Sequence, residues 1–150
     1  MPETLRIEPI VKSVHVGCTP EHAFEVFTRD VGAWWPLDSH AIHVGAVREV
    51  VWEERAGGEV YEVSNDGEKA HWATVLTWEP PSRVVIAWHV NPQAAAPTEL
   101  DVSFLADGEG TRVEVEHRHW ERLGDAGVAM RDGYQDGWDH VLGRFVAYAG

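Results

Sequence analysis

Cysteine is almost absent. Cys18 stands alone among 150 residues, which excludes an intrachain disulfide framework and a cysteine metal cluster. Basic residues are scarce as well: two Lys and ten Arg stand against 25 acidic residues, for a formal charge of −13. With no basic run, nucleic acid is excluded as a partner, and anionic membrane surfaces are disfavoured for the same reason. No stretch approaches the ~20 apolar residues of a spanning helix, so membrane insertion is not expected. The opening "MPETLRIEPI" is too polar for a signal peptide, and the expectation is a cytoplasmic protein. Also lacking are a GxSxG elbow, an HExxH pair and a glycine loop for phosphates, which argues against hydrolysis and phosphoryl transfer.

What the chain does have is tryptophan. Eight Trp occur within an ordinary hydrophobic share of 44%. A Trp buries on the order of 200 Å², so this number implies a large interior or a binding surface. The length fits one domain over residues 1–150.

The segment "IVKSVHV" reads as a strand. "CTPEHAFEVFT" then opens a helix, with Thr19 as cap, Pro20 at its first position and Glu21 near its positive end. "WWPLDSHAIH" is a turn or a short second helix. From Val47 the pattern is strand after strand with short turns: Gly57-Gly58, "NDG", Pro80-Pro81-Ser82 and "ADGEG". The remaining connection, "NPQAAAP", reads as a loop. From Asp125 the period becomes helical, and Met130, Tyr134, Trp138, Val141, Phe145 and Tyr148 fall on one face. One strand, one or two short helices, six strands and a long helix make an α+β fold whose helix buries its stripe on a sheet.

That last helix carries Gly133, Gly137 and Gly143, although glycine costs about 1 kcal/mol there relative to alanine. Gly133 and Gly137 share the edge of the apolar face. Either backbones come close at that edge, or space is left between helix and sheet. Gly143 lies on the polar side and has no explanation.

Four stretches, "AFEVFTRDVGAWWPLDSH", "TWEPPSRVVIAW", "VEHRHWERLG" and "DGYQDGWDHVLGRF", occur in this order in proteins similar to this chain. On them the chain resembles the family of activators of heat-shock-protein-90 ATPase homologues, within the START-like (helix-grip, polyketide cyclase) superfamily. The resemblance implies a seven-stranded antiparallel sheet curled around a long C-terminal helix, with a hydrophobic cavity between them. It also implies a small apolar molecule as partner, carried or sensed. The alternatives are a cyclase or aromatase acting on a polyketide-like substrate, and a chaperone-regulating interaction protein. Association as a homodimer is left open. Relatives commonly have "HRGW" where this chain has "HRHW", so His119 replaces a small residue.

Candidate ligand-binding residues follow from position. Trp34 and Trp35 are adjacent, so one is expected to pack inward and the other to rim an entrance or cover the sheet, with His40 beside them on irregular backbone. Trp88 shares strand parity with Val84 and Ile86, the inner face. Trp72 and Trp78 share parity on their strand. His117 and His119 continue the face of Val113 and Val115, while Trp120, of opposite parity to His119, is expected outside. On the helix, Met130, Tyr134, Gly137 and Trp138 complete the lining. Two histidines at i and i+2, with His89 nearby, can share a metal. A third ligand at convincing spacing is lacking, so neither metal nor cofactor is expected. Glu99, Asp101, Glu114 and Glu116 are expected to face solvent, away from any site.

Overall fold

The structure is a computed structural model and describes residues 7–88 and 97–150. His89 and most of the "NPQAAAP" loop lie outside the described residues.

The chain forms β1 (Ile10–Val16), α1 (Pro20–Thr28), α2 (Val31–Trp34), β2 (Val47–Trp52), β3 (Glu59–Ser64) and β4 (Lys69–Glu79). There follow β5 (Arg83–Trp88), β6 (Thr98–Asp107), β7 (Gly110–Arg118), a 3-10 helix (Trp120–Ala126) and α3 (Gly127–Ala149). The strands make one antiparallel sheet in the order β1-β7-β6-β5-β4-β3-β2, so β1 and β2 form its edges. It is the curled sheet and long helix of the helix-grip fold.

Local chemistry starts and stops the elements as the sequence implies. The Thr19 side chain accepts from the His22 amide at 3.2 Å, capping α1. Gly57 turns β2 into β3 at φ +83°, a backbone conformation that favours glycine. Pro80-Pro81, joined by a cis bond, turns β4 into β5.

The inner face is set by cross-strand register. Val84, Ile86 and Trp88 pair with Val102, Leu100 and Thr98, and Leu100, Val102 and Phe104 pair with His117, Val115 and Val113. All of these are buried. The opposite face holds an ion-pair network: Arg83 meets Asp101 through two bonds of 3.0 and 2.7 Å, and Arg118 reaches Asp101 at 3.0 Å and Glu99 at 3.2 Å. Burial alone would raise the Asp101 pKa, but the two arginines hold it below its usual range. Glu99 and Asp101 do face outward, as ion-paired groups.

The core is filled unevenly along α3. Toward its C-terminal end, Phe145 packs on Phe27 at 5.2 Å and on Trp34 at 5.2 Å, and Phe24 packs on Trp78 at 4.9 Å. Arg144 also donates to the Trp34 carbonyl at 3.1 Å. That end is solid aromatic packing. The open space lies under the N-terminal half of the helix.

Candidate functional site: an aromatic cavity under the long helix

A cavity of about 370 Å³ opens between the sheet, α3 and the segment after α2. Its volume falls within the ~300–1,000 Å³ range of small-molecule sites. Four tryptophans from four elements wall it: Trp35, Trp72, Trp88 and Trp138. Trp35 touches the other three, with ring centroids 5.1 Å from Trp72, 6.0 Å from Trp88 and 5.9 Å from Trp138. From α3, Met130, Gly133, Tyr134, Gly137 and Val141 also face the cavity. Its lip is His40, Ala41 and Ile42.

The two glycines border this space. A Cβ at Gly133 would meet nothing within 4 Å, and one at Gly137 would make only ordinary contact with the His40 ring at 3.7 Å. Close backbone packing therefore does not explain either residue. Gly143 is also free of neighbours, and nothing in the structure explains it.

Of the residues singled out from sequence, Trp35, His40, Trp72, Trp88, Met130, Tyr134, Gly137 and Trp138 come together here. Trp34, His117 and His119 do not line the cavity. Trp34 points inward like its neighbour and is 1% exposed, with its indole N–H on the Val26 carbonyl at 2.7 Å. Neither tryptophan is left outside. Trp34 ends α2 while Trp35 is already extended (φ −60°, ψ 134°), so the two rings diverge into different parts of one core.

His117 is fully buried and serves as a structural pin. The Trp138 indole can only donate, and it does so to His117 Nδ1 at 3.1 Å, leaving the proton on Nε2 to bond Thr98 Oγ1 at 2.8 Å. Trp120 stacks on the imidazole at 4.2 Å and donates to its backbone carbonyl. Burial pushes the His117 pKa down to about 3. With Nδ1 engaged this way, His117 is not placed to share a metal with its neighbours. Among the described residues no group of three or more His, Cys, Asp or Glu is arranged to hold a metal ion.

His119 departs from the strand. Its φ of +71° ends the alternation, and its ring pairs outward with Glu99 at 3.2 Å and Glu121 at 3.4 Å. The same break turns Trp120 inward, to 1% exposure, against the expectation of an outside position. Trp72 and Trp78 both face inward, but not by simple alternation. Register shifts at Val60/Tyr61 and at Val75/Thr77 each displace β4 by a residue, so Ala73 and Val75 share their face instead of Thr74 and Leu76.

One residue important to the site was not singled out from sequence. Glu62 on β3 is 0% exposed, and its carboxylate accepts four bonds. These come from the Ile42 and His43 amides at 2.6 Å each, the Trp72 indole at 2.7 Å and His43 Nδ1 at 2.8 Å. Burial by itself would raise its pKa, but the four donors outweigh that and hold it below the ordinary carboxylate value. Glu62 thus ties the lip of the cavity to its Trp72 wall. The only signal for it in sequence is its shared parity with Val60, and Tyr61 and Val63 on the opposite parity are equally apolar.

The His117 geometry fixes a pH response. Its native pKa is depressed below the ordinary 6.5, so the unfolded chain binds a proton that the native state does not. The contribution is complete above about pH 6.5 and is lost progressively as pH falls toward about 3. The slope is up to about 1.4 kcal/mol per pH unit. Urea unfolding between pH 7 and 4.5 should show this slope. His117→Asn should be less stable at pH 7 yet have a flatter profile.

The sequence profile described as "Activator of Hsp90 ATPase homolog 1-like protein" matches residues 17–150. The chain belongs to this family. Among solved structures, CalC from Micromonospora echinospora, described as a self-sacrificing resistance protein, is 30% identical. The match covers 95% of this chain and 94% of CalC, with a TM-score of 0.72. Txn09, an anthrahydroquino-γ-pyrone synthase, is 32% identical over 98% of this chain and 99% of its own, with a TM-score of 0.63. The Aha1 dimer from Colwellia psychrerythraea, 17% identical with a TM-score of 0.67, covers 93% of this chain and 94% of its own and shares the fold. No curated protein matches the chain. Among the described residues, no helix of this family member is long and apolar enough to cross a membrane.

Proposed function

We propose that this protein binds one small hydrophobic molecule in the cavity under α3, as a carrier or sensor. The observation that carries the reading is the pairing of four tryptophan walls with a helix whose side chains stop at Gly133 and Gly137. A helix packed for stability alone would gain about 1 kcal/mol from alanine at each glycine, since no neighbour obstructs a Cβ there.

A second reading, a cyclase-type enzyme acting on a polyketide-like substrate, is favoured by one observation. A relative 32% identical along nearly its whole length is a γ-pyrone synthase. Tyr134 and His40 are the cavity groups able to exchange a proton in such a reaction. Both readings need the same occupied cavity. Tryptophan fluorescence titrated with fluorene, a flat hydrocarbon, should give saturable quenching at one molecule per chain. Unsaturable quenching, or none, would refute both.

A further inference from the structure

The polar groups around the cavity are disposed very unequally. Each wall indole turns its N–H to a protein acceptor: Trp35 to the His40 carbonyl, Trp72 to Glu62, Trp138 to His117, and Trp88 to the Tyr134 hydroxyl. The Ile42 amide of the lip is spent on Glu62 in the same way. The tryptophans thus offer a ligand ring faces and edges, and no donor.

Tyr134 is the exception. Its oxygen accepts from Trp88 Nε1 at 3.0 Å, and among the described residues no acceptor is in place for its own hydrogen. Burial raises its pKa, so the phenol stays protonated at neutral pH and acts as a donor. Its ring stands edge-on to Trp88 at 86°, next to His117 at 5.3 Å and Trp120 at 5.3 Å, which fix its position. Among the described residues no Lys or Arg lines the cavity, and the His40 imidazole stands at its lip with Nδ1 bonded to Ser39. A carboxylate or phosphate group beside Tyr134 would therefore enter without a permanent counter-charge.

We infer that the cavity is built for a neutral, planar aromatic ketone whose carbonyl oxygen accepts a hydrogen bond from Tyr134 while its rings lie among Trp35, Trp72, Trp88 and Trp138. This rests on the proposed binding function and names the ligand class. The bond from the Trp88 indole polarises the Tyr134 hydroxyl and makes it the better donor. Fatty acids and other anionic lipids fit this site poorly, because among the described residues no Lys or Arg lines it to balance their charge.

Two probes of nearly one shape isolate the claim: 9-fluorenone carries a carbonyl where fluorene carries a methylene. Affinities for both are measured by calorimetry in the native protein and in Tyr134→Phe. The fluorenone-to-fluorene affinity ratio should fall about three- to tenfold in the variant, the worth of one hydrogen bond, with fluorene affinity in each protein as the reference for the altered wall. The infrared carbonyl stretch of fluorenone bound to the native protein should lie below its position in hexane, and this reading does not depend on the variant folding. If both probes bind, yet the ratio is unmoved or the carbonyl absorbs as in hexane, the ketone assignment is overturned and the hydrophobic cavity stands. If neither probe binds, the cavity reading falls and this inference falls with it.

Discussion

Glu62→Ala should lower the stability of the protein by about 3–5 kcal/mol, the cost of stripping one side from a buried, charge-assisted set of bonds. The Ile42 and His43 amides and the Trp72 indole would lose their common acceptor where it is fully buried. At this chain length the melting temperature should drop by roughly 10 °C or more. Glu62→Gln keeps the shape and one acceptor oxygen, and should cost less. Because the native pKa of Glu62 is lowered, its contribution is complete above the ordinary value of 4.5 and fades as pH falls through the lower native value. Of the two groups, His117 alone acts between about pH 6.5 and 4.5, and both act below 4.5. A melting temperature unchanged in Glu62→Ala would mean that the lip is held by something else.

Gly137→Leu should raise stability and weaken binding together. A Cβ there makes only ordinary contact with His40, so the leucine has room to project into the cavity. Helix propensity contributes about 0.8–1 kcal/mol and burial of the side chain about 1.5–3 kcal/mol. The melting temperature should rise by several degrees, while fluorene affinity should fall at least tenfold. At Gly133, where a Cβ meets nothing within 4 Å, the effect on binding should be smaller. Calorimetric melting beside fluorene titration checks both halves. A destabilised Gly137→Leu with unchanged affinity would show that the glycine serves packing alone.

Element order was legible because its signals are local. The β-branched strands, the Thr19-Pro20 helix start and the turns at Gly57-Gly58 and Pro80-Pro81 each act over a few residues. Most of the cavity could be located for a related reason: Met130, Tyr134, Gly137 and Trp138 share one edge of a helix whose period is fixed. The errors fall where a period is interrupted. Two bulges re-aim β4, so Trp72 reaches the cavity by a route that alternation does not describe. The left-handed backbone of His119 sends that ring outward and Trp120 inward. Tyr148 lies about 60° from Phe145 around the helix. It is 50% exposed, because the buried arc there runs toward Leu142 instead. Glu62 could not be found from pattern, since a carboxylate becomes an interior group only when distant amides converge on it.

The most direct test of the central claim is an NMR titration that resolves the indole N–H signals of all eight tryptophans. Adding fluorene should shift the signals of Trp35, Trp72, Trp88 and Trp138, whose rings wall the cavity. Those of Trp34, Trp52, Trp78 and Trp120, which pack elsewhere in the core, should stay close to their starting positions. Saturation should come at one fluorene per chain. Shifts centred on Trp52, Trp78 or Trp120, or no shifts at saturating fluorene, would contradict a ligand site beneath the glycine edge of α3.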